Sequence, residues 1–212
     1  MSDSGISRLL QISIPAALAA ATEAELSQVY SLGDMGREIS ELIKRMNGFY
    51  ALESALHCFP ASSSEEHSIF QWNDEGLWRS AYGEKAQDLY FFAENVFGEQ
   101  FCIQDDEIHI FDPETGVTKK CCDHIDEWAD LMLGEEGNYY TGFSLGHEWQ
   151  IANGPLERGR RLVPKLPFVC RGPYEVSNLF SLDSVQGMLY REELAKKIEG
   201  VPDGTEISFY TF

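Results

Sequence analysis

The chain of 212 residues carries 35 acidic against 16 basic residues, a net charge of −19, with 43% hydrophobic and 12% aromatic content. That apolar content is enough to bury a core, so an ordered globular protein organised as one domain is expected. The charge argues against nucleic-acid partners, whose phosphates need a basic surface, and against anionic membranes. Such acidity serves equally as a solubility device; where it bears on recognition, it favours cationic partners.

The first apolar run, residues 12–21, contains Pro15 and no preceding basic segment, so it reads as a docked helix rather than a signal peptide or a membrane span. Ile39, Leu42, Ile43 and Met46 follow helical spacing behind Asp34 as a cap, and Asn47-Gly48 is a stop signal. A second helix is expected over residues 49–59, with Leu52, Ala55 and Leu56 facing inward and Pro60 ending it. A polar seam at residues 62–66 then separates a helical N-terminal region (residues 1–64) from a strand-rich core with a capping helix (residues 65–136).

In that core the period shifts towards two. Strands are predicted over 89–93, 99–104, 107–111 and 117–121, joined as an antiparallel meander by a tight turn at 104–106 and a Pro- and Gly-containing turn at 112–116. Asp123 reads as the N-cap of a helix whose apolar face is Ile125, Trp128, Ala129 and Met132. Between Glu94 and Glu136 thirteen acidic residues stand against Lys119 and Lys120, so the negative charge concentrates there. The C-terminal extension, 137–212, offers a short helix or loop over 142–154, a basic run at Arg158, Arg160 and Arg161 expected to pair with the chain's own carboxylates, and an extended segment over 162–168. A helix through Leu194 and Ile198, a turn at 202–204 and a last strand at 206–212 complete it.

The five cysteines, Cys58, Cys102, Cys121, Cys122 and Cys170, form no CxxC pair and no even framework, which suits a reducing cytoplasm. The carboxylates of residues 105–116 do not fit a calcium loop, because Ile108, Ile110 and Phe111 stand where oxygen ligands would be required. His147-Glu148 lacks the second histidine of HExxH, and there is no GxSxG elbow, phosphate loop or GxGxxG fingerprint. Cys121-Cys122 with His124 places a thiol near an imidazole, an arrangement more often structural than nucleophilic. No catalytic residue, metal or cofactor is therefore assigned. The candidate partner-binding residues are the turn carboxylates Asp105, Asp106, Glu107, Asp112 and Glu114, with Trp72 and Tyr139 as aromatic anchors; Trp78, Tyr82 and Tyr140 lie near acidic positions as further anchors. Residues 105–107 are expected to be solvated and dispensable for folding.

The segment YFFAENVFGEQFCIQDDEIHIF (residues 90–111), the DPETG turn after it and the helix DHIDEWADLML resemble the SUKH superfamily of bacterial toxin-immunity proteins and fungal regulators of cell-wall glucan synthesis. The Asn47-Gly48 step is similar to that family's helical entry. The resemblance covers about the middle two thirds of the chain. It implies an α+β fold, a central antiparallel β-sheet meander flanked by N-terminal and C-terminal helices, and a binding role with no catalytic residues. The function expected from it is that of an immunity protein neutralising a cationic toxin domain such as a nuclease. A regulatory or scaffold protein of the same fold, and an enzyme using scattered carboxylates or a thiol, are the alternatives.

Overall fold

The computed structural model describes residues 4–62, 66–202 and 204–205. Its elements run α1 (Gly5–Gln11), β1 (Ile14–Pro15), α2 (Glu23–Tyr30), α3 (Asp34–Arg45), β2 (Phe49–Ala51), β3 (Leu56–Cys58) and α4 (Ile69–Trp72). A π-helical turn (Glu75–Arg79), α5 (Ser80–Tyr82) and a 3-10 turn (Gly83–Lys85) lead into β4 (Tyr90–Asn95), β5 (Gln100–Gln104), β6 (Glu107–Asp112) and β7 (Val117–Cys122). Then come α6 (Ile125–Leu133), α7 (Gly137–Thr141), α8 (Phe143–Asn153), β8 (Arg160–Pro164), β9 (Leu179–Asp183) and α9 (Ser184–Lys197). The fold is α+β: β1 to β7 form one antiparallel sheet in meander order, and β8 and β9 form a separate two-stranded sheet.

Residues 90–122 form the four strands that the sequence predicts, with shifts of one or two residues at their ends. The Asp105-Asp106 turn has both residues at positive φ (51° and 63°), the conformation that two-residue hairpins require and that Asp tolerates. Because neighbouring residues of a strand face opposite sides, Phe91 packs on Trp78 while Phe92 packs on Trp128 of α6. At β4 the sheet is thus buried on both faces, whereas the edge strands β1 and β7 are largely exposed. Helices α1, α3 and α6 pack together, and α5 and α9 pack against the π-helical turn.

Three expectations are corrected here. Residues 49–59 are not a helix but the β2–β3 hairpin, turned by Leu52, Glu53 and Ser54, all at positive φ. Every residue of the two strands is buried, which removes the polar alternation that would have revealed them. Residues 12–21 are not a helix either: α1 ends at Gln11 and Pro15 lies on the sheet's edge strand, where its missing N–H costs no ladder bond. The N-terminal region, expected to be helical through residue 64, therefore supplies three strands of the main sheet. Residue 203 of the predicted turn and the predicted strand at 206–212 lie outside the described residues.

The Asn47-Gly48 stop is a junction as well as a helix end. Asn47 Nδ2 donates to Ala19 O (2.8 Å) and Asn47 Oδ1 accepts from Ala61 N (2.8 Å), tying three segments together. Gly48 has φ 67° and its Cα faces Pro60 so closely that any Cβ would lie 2.5 Å from the proline nitrogen.

Caps also come from unexpected places. Helix α3 starts at Asp34 after Gly33, which offers no side-chain cap, and Met35 N donates instead to Asp106 Oδ1 (2.7 Å) from the β5–β6 turn. Helix α6 is capped by Glu38, whose Oε2 accepts from Ile125 N (2.8 Å), rather than by Asp123. Asp106 is consequently part of the folded framework. Because Asp105 and Asp106 share the same backbone strain, comparing Asp105→Ala with Asp106→Ala isolates the cap: in urea unfolding Asp106→Ala is expected to be the less stable by about 1 kcal/mol, and equal midpoints would remove the capping role.

Candidate functional site: an acidic, aromatic pocket beside a buried ion-pair network

Two polar assemblies lie where the C-terminal extension meets the meander. The first is buried. Arg161 of β8 and Glu94 of β4 pair at 2.9 Å, each with 1% side-chain exposure. Glu94 Oε1 also lies 3.1 Å from His57 Nδ1 and accepts from Ser184 Oγ (3.3 Å), and Glu94 Oε2 accepts from Gln100 Nε2 (3.1 Å). Gln100 in turn accepts from Trp72 Nε1 (2.8 Å). On the other side of His57, Nε2 lies 3.3 Å from Glu66 Oε2, which accepts from Tyr50 OH (2.7 Å). Burial alone would push the Glu94 carboxyl up, but the Arg161 charge, His57 and Gln100 outweigh it and hold it at about 2.

A cavity of about 430 Å³ opens beside this network, lined by His57, Glu66, His67, Arg158 and Arg160 among others. The basic run pairs internally, as expected from the sequence: Arg161 with Glu94, Arg158 at 3.7 Å from Glu66, Arg160 at 3.9 Å from Glu157. Each buried carboxylate here has basic or hydrogen-bonding neighbours, so the network reads as architecture.

The second assembly is a pocket of about 900 Å³ whose lining includes five carboxylates, Glu99, Asp112, Glu114, Glu135 and Glu148, and one cation, Arg191. It forms because a meander places alternate turns at the same end. The β4–β5 and β6–β7 turns lie together, whereas the β5–β6 turn lies a strand length of about 17 Å away. In the first turn Asn95 Oδ1 accepts from Phe97 N (3.0 Å) and Glu99 N (3.0 Å), with Gly98 at φ 73°, so Phe97 and Glu99 are held into the pocket. In the second, Asp112 Oδ1 accepts from Glu114 N (2.8 Å) and Oδ2 from Thr115 Oγ1 (2.9 Å), which turns Glu114 inward. Glu114 is 4% exposed; its Oε2 accepts from Val169 N (2.8 Å), while its Oε1 is buried without a hydrogen-bond partner.

The opposite wall comes from the C-terminal extension. Phe168 and Tyr174 stack with ring centroids 4.0 Å apart, and Phe168 meets Phe97 edge-on at 5.4 Å. Arg191 directs its donors at backbone carbonyls, Nε to Gly187 O and Nη1 to Phe97 O, instead of at a carboxylate. Burial, reinforced by the charges of Asp112 and Glu114, raises the Glu99 carboxyl to about 7, and burial raises that of Glu114.

Of the residues singled out from the sequence, Asp112, Glu114 and Tyr139 come together at this pocket. Asp105, Asp106 and Glu107 do not: they sit at the far end of the meander, Asp106 capping α3 and Glu107 paired with Lys120 (2.6 Å). Trp72, expected as an anchor, is 1% exposed, and Trp78 and Tyr82 are buried too, so none is on the surface. Glu114, expected as a partner-binding turn carboxylate, is buried. Missed residues include Glu99, Phe97, Phe168, Tyr174 and Arg191. The clearest signal for the first two was the FG-x-x-F turn itself.

The thiol candidates are not paired with the imidazole. Burial raises the Cys121 and Cys122 thiols to about 12, and His124 Nδ1 lies 3.0 Å from Glu38 Oε1 rather than at a sulfur. All five cysteines are free. Among the described residues, no helix is long and apolar enough to cross a membrane, and no group of three or more His, Cys, Asp or Glu side chains is placed to hold a metal ion.

No protein-family model and no curated protein matches the chain. Among solved structures it is similar to Atu4351 from Agrobacterium tumefaciens, with a TM-score of 0.56 and 14% identity over 88% of this chain and 87% of that one. That likeness concerns the fold alone.

The ion pair gives a direct test. Replacing one partner strands the other charge, so Arg161→Met is expected to cost about 3–5 kcal/mol in denaturant unfolding, and Glu94→Leu with Arg161→Met together to cost less than Arg161→Met alone. The Glu94 carboxyl is depressed from 4.5 to about 2, so its contribution is complete above about pH 4.5 and fades as pH falls through about 2. Acid unfolding of wild type in that window, absent from the double variant, is the expected result; identical acid profiles would contradict it.

Proposed function

We propose that this protein is a non-catalytic binding protein that captures a cationic protein partner at the acidic, aromatic pocket. On the resemblance of residues 90–133 to the SUKH superfamily, we take the partner to be a bacterial toxin domain neutralised in the cytoplasm. The observation that carries the reading is the pocket's imbalance. Among the described residues it is lined by five carboxylates against one arginine, whose Nε and Nη1 donate to backbone carbonyls.

Two further facts support it. The net charge of −19 produces a field that speeds encounter with a cationic surface. Tyr139 and Tyr174, 66% and 68% exposed, stand at the same pocket and provide the aromatic contact area that charge alone does not supply.

The test is affinity capture of the full chain from lysate of its source, at varied salt, followed by mass spectrometry. One cationic protein, eluted by salt and tolerated by cells only when co-expressed with this chain, is the expected result. Reversing the exposed rim charges, Glu135→Lys with Glu148→Lys, is expected to slow association by about tenfold at low salt, while Glu23→Lys with Glu41→Lys, the same change in net charge on α2 and α3, has a smaller effect. Capture of acidic host enzymes alone, or equal effects from the two pairs, would sink the proposal.

A further inference from the structure

We infer that the pocket is a receptor for one alkylguanidinium group, the head of an arginine side chain, held between the carboxylates of Glu99, Asp112 and Glu114 and the stacked rings of Phe168 and Tyr174. This rests on the reading of the pocket as the partner's docking site and specifies what enters it.

Three observations converge. Glu114 Oε1 is a buried acceptor without a hydrogen-bond partner, an arrangement that is costly for a polar group and more so for a charged one. A ligand N–H would relieve that cost. Next, continuing the β5–β6 register from Gln100↔Phe111 sets Glu99 opposite Asp112, a like-charge cross-strand pair that is unfavourable until a cation lies between them. Among the described residues, neither Glu99, Asp112 nor Glu114 has a basic nitrogen within 4.0 Å. Finally, the walls suit an organic cation. A planar guanidinium stacks on aromatic faces and presents several donors to carboxylates. A hard metal ion would need six to eight converging oxygens, and no such group occurs among the described residues.

Binding should also move a proton. Glu99 is raised to about 7 by burial, then by Asp112 and Glu114, against the opposing Asn95 hydrogen bond and the Arg191 charge. The other titratable groups around it are Cys121 of β7 and Tyr174, both raised by burial, and the rim residues Glu135, Tyr139 and Glu148. A cation favours the ionised carboxylate, so occupancy releases a proton from Glu99. Affinity should therefore rise about tenfold between about pH 6 and about pH 8.

The test is calorimetric titration of the full chain with n-butylguanidinium at low salt, with n-butylurea as the uncharged match in shape. Expected are saturable binding of the cation only, at least about tenfold weaker in Glu114→Gln and in Tyr174→Ala, and proton release near neutral pH. Tyr174 is largely exposed, so its variant keeps the test valid should Glu114→Gln fold poorly. Equal binding of the urea, no saturable heat, or wild-type affinity in both variants overturns the inference. Displacement of a captured cationic protein by n-butylguanidinium identifies an arginine as the occupant. Binding of n-butylguanidinium with no protein partner found assigns a free guanidine and removes the partner reading alone. A captured protein that ignores both n-butylguanidinium and Glu114→Gln overturns this inference and leaves the partner reading standing.

Discussion

The Glu94–Arg161 pair is the contact on which the arrangement of this protein depends. It joins β4, in the middle of the meander, to β8, the first strand of the small C-terminal sheet, at 1% exposure on each side. Desolvating two charges is expensive, and a buried pair is often no better than a hydrophobic one of the same shape. What it contributes is position, since Glu94 is satisfied only when His57, Gln100, Ser184 and Arg161 all converge on it. An alternative docking of the C-terminal sheet would leave both charges buried and unpaired.

That position creates the pocket. The segment after β8 brings Phe168 and Tyr174 across from Phe97, and Glu114 receives Val169 N from the same segment. The two assemblies are electrostatic opposites. Around Glu94 the protein's own cation neutralises its carboxylate and depresses its pKa; around Glu99 the nearest cation is turned away and the pKa rises. The same domain thus neutralises one buried glutamate with an arginine and leaves Glu99, Asp112 and Glu114 beside aromatic rings without such a partner among the described residues.

Much of the fold was legible in the sequence where one signal acted alone. Residues 90–122 are punctuated by FG, DD and DPETG, so strands and turns could both be placed although β4 and β5 are buried almost throughout. Residues 49–59 misled because burial on both faces erased the alternation, and a continuous apolar run suits a helix as well as a strand. The caps of α3 and α6 come from Asp106 and Glu38, distant in sequence, which local capping rules cannot foresee. Of the site, Asp112, Glu114 and Tyr139 were visible, but the acidic turn 105–107 looked equally suitable. Only the meander's parity, with turns at alternating ends, separates them. The aromatic wall at Phe168 and Tyr174 was beyond reach because nothing local connects residues 168–174 with residue 97; the buried ion pair does.

The most direct measurement is hydrogen–deuterium exchange of the full chain, free and bound to its captured cationic partner. Added protection is predicted at residues 97–99, 112–116, 138–145 and 168–174, where the pocket's walls meet, with little change at residues 104–107. Protection centred on residues 104–107, or on the cavity beside His57, would contradict docking at the acidic, aromatic pocket.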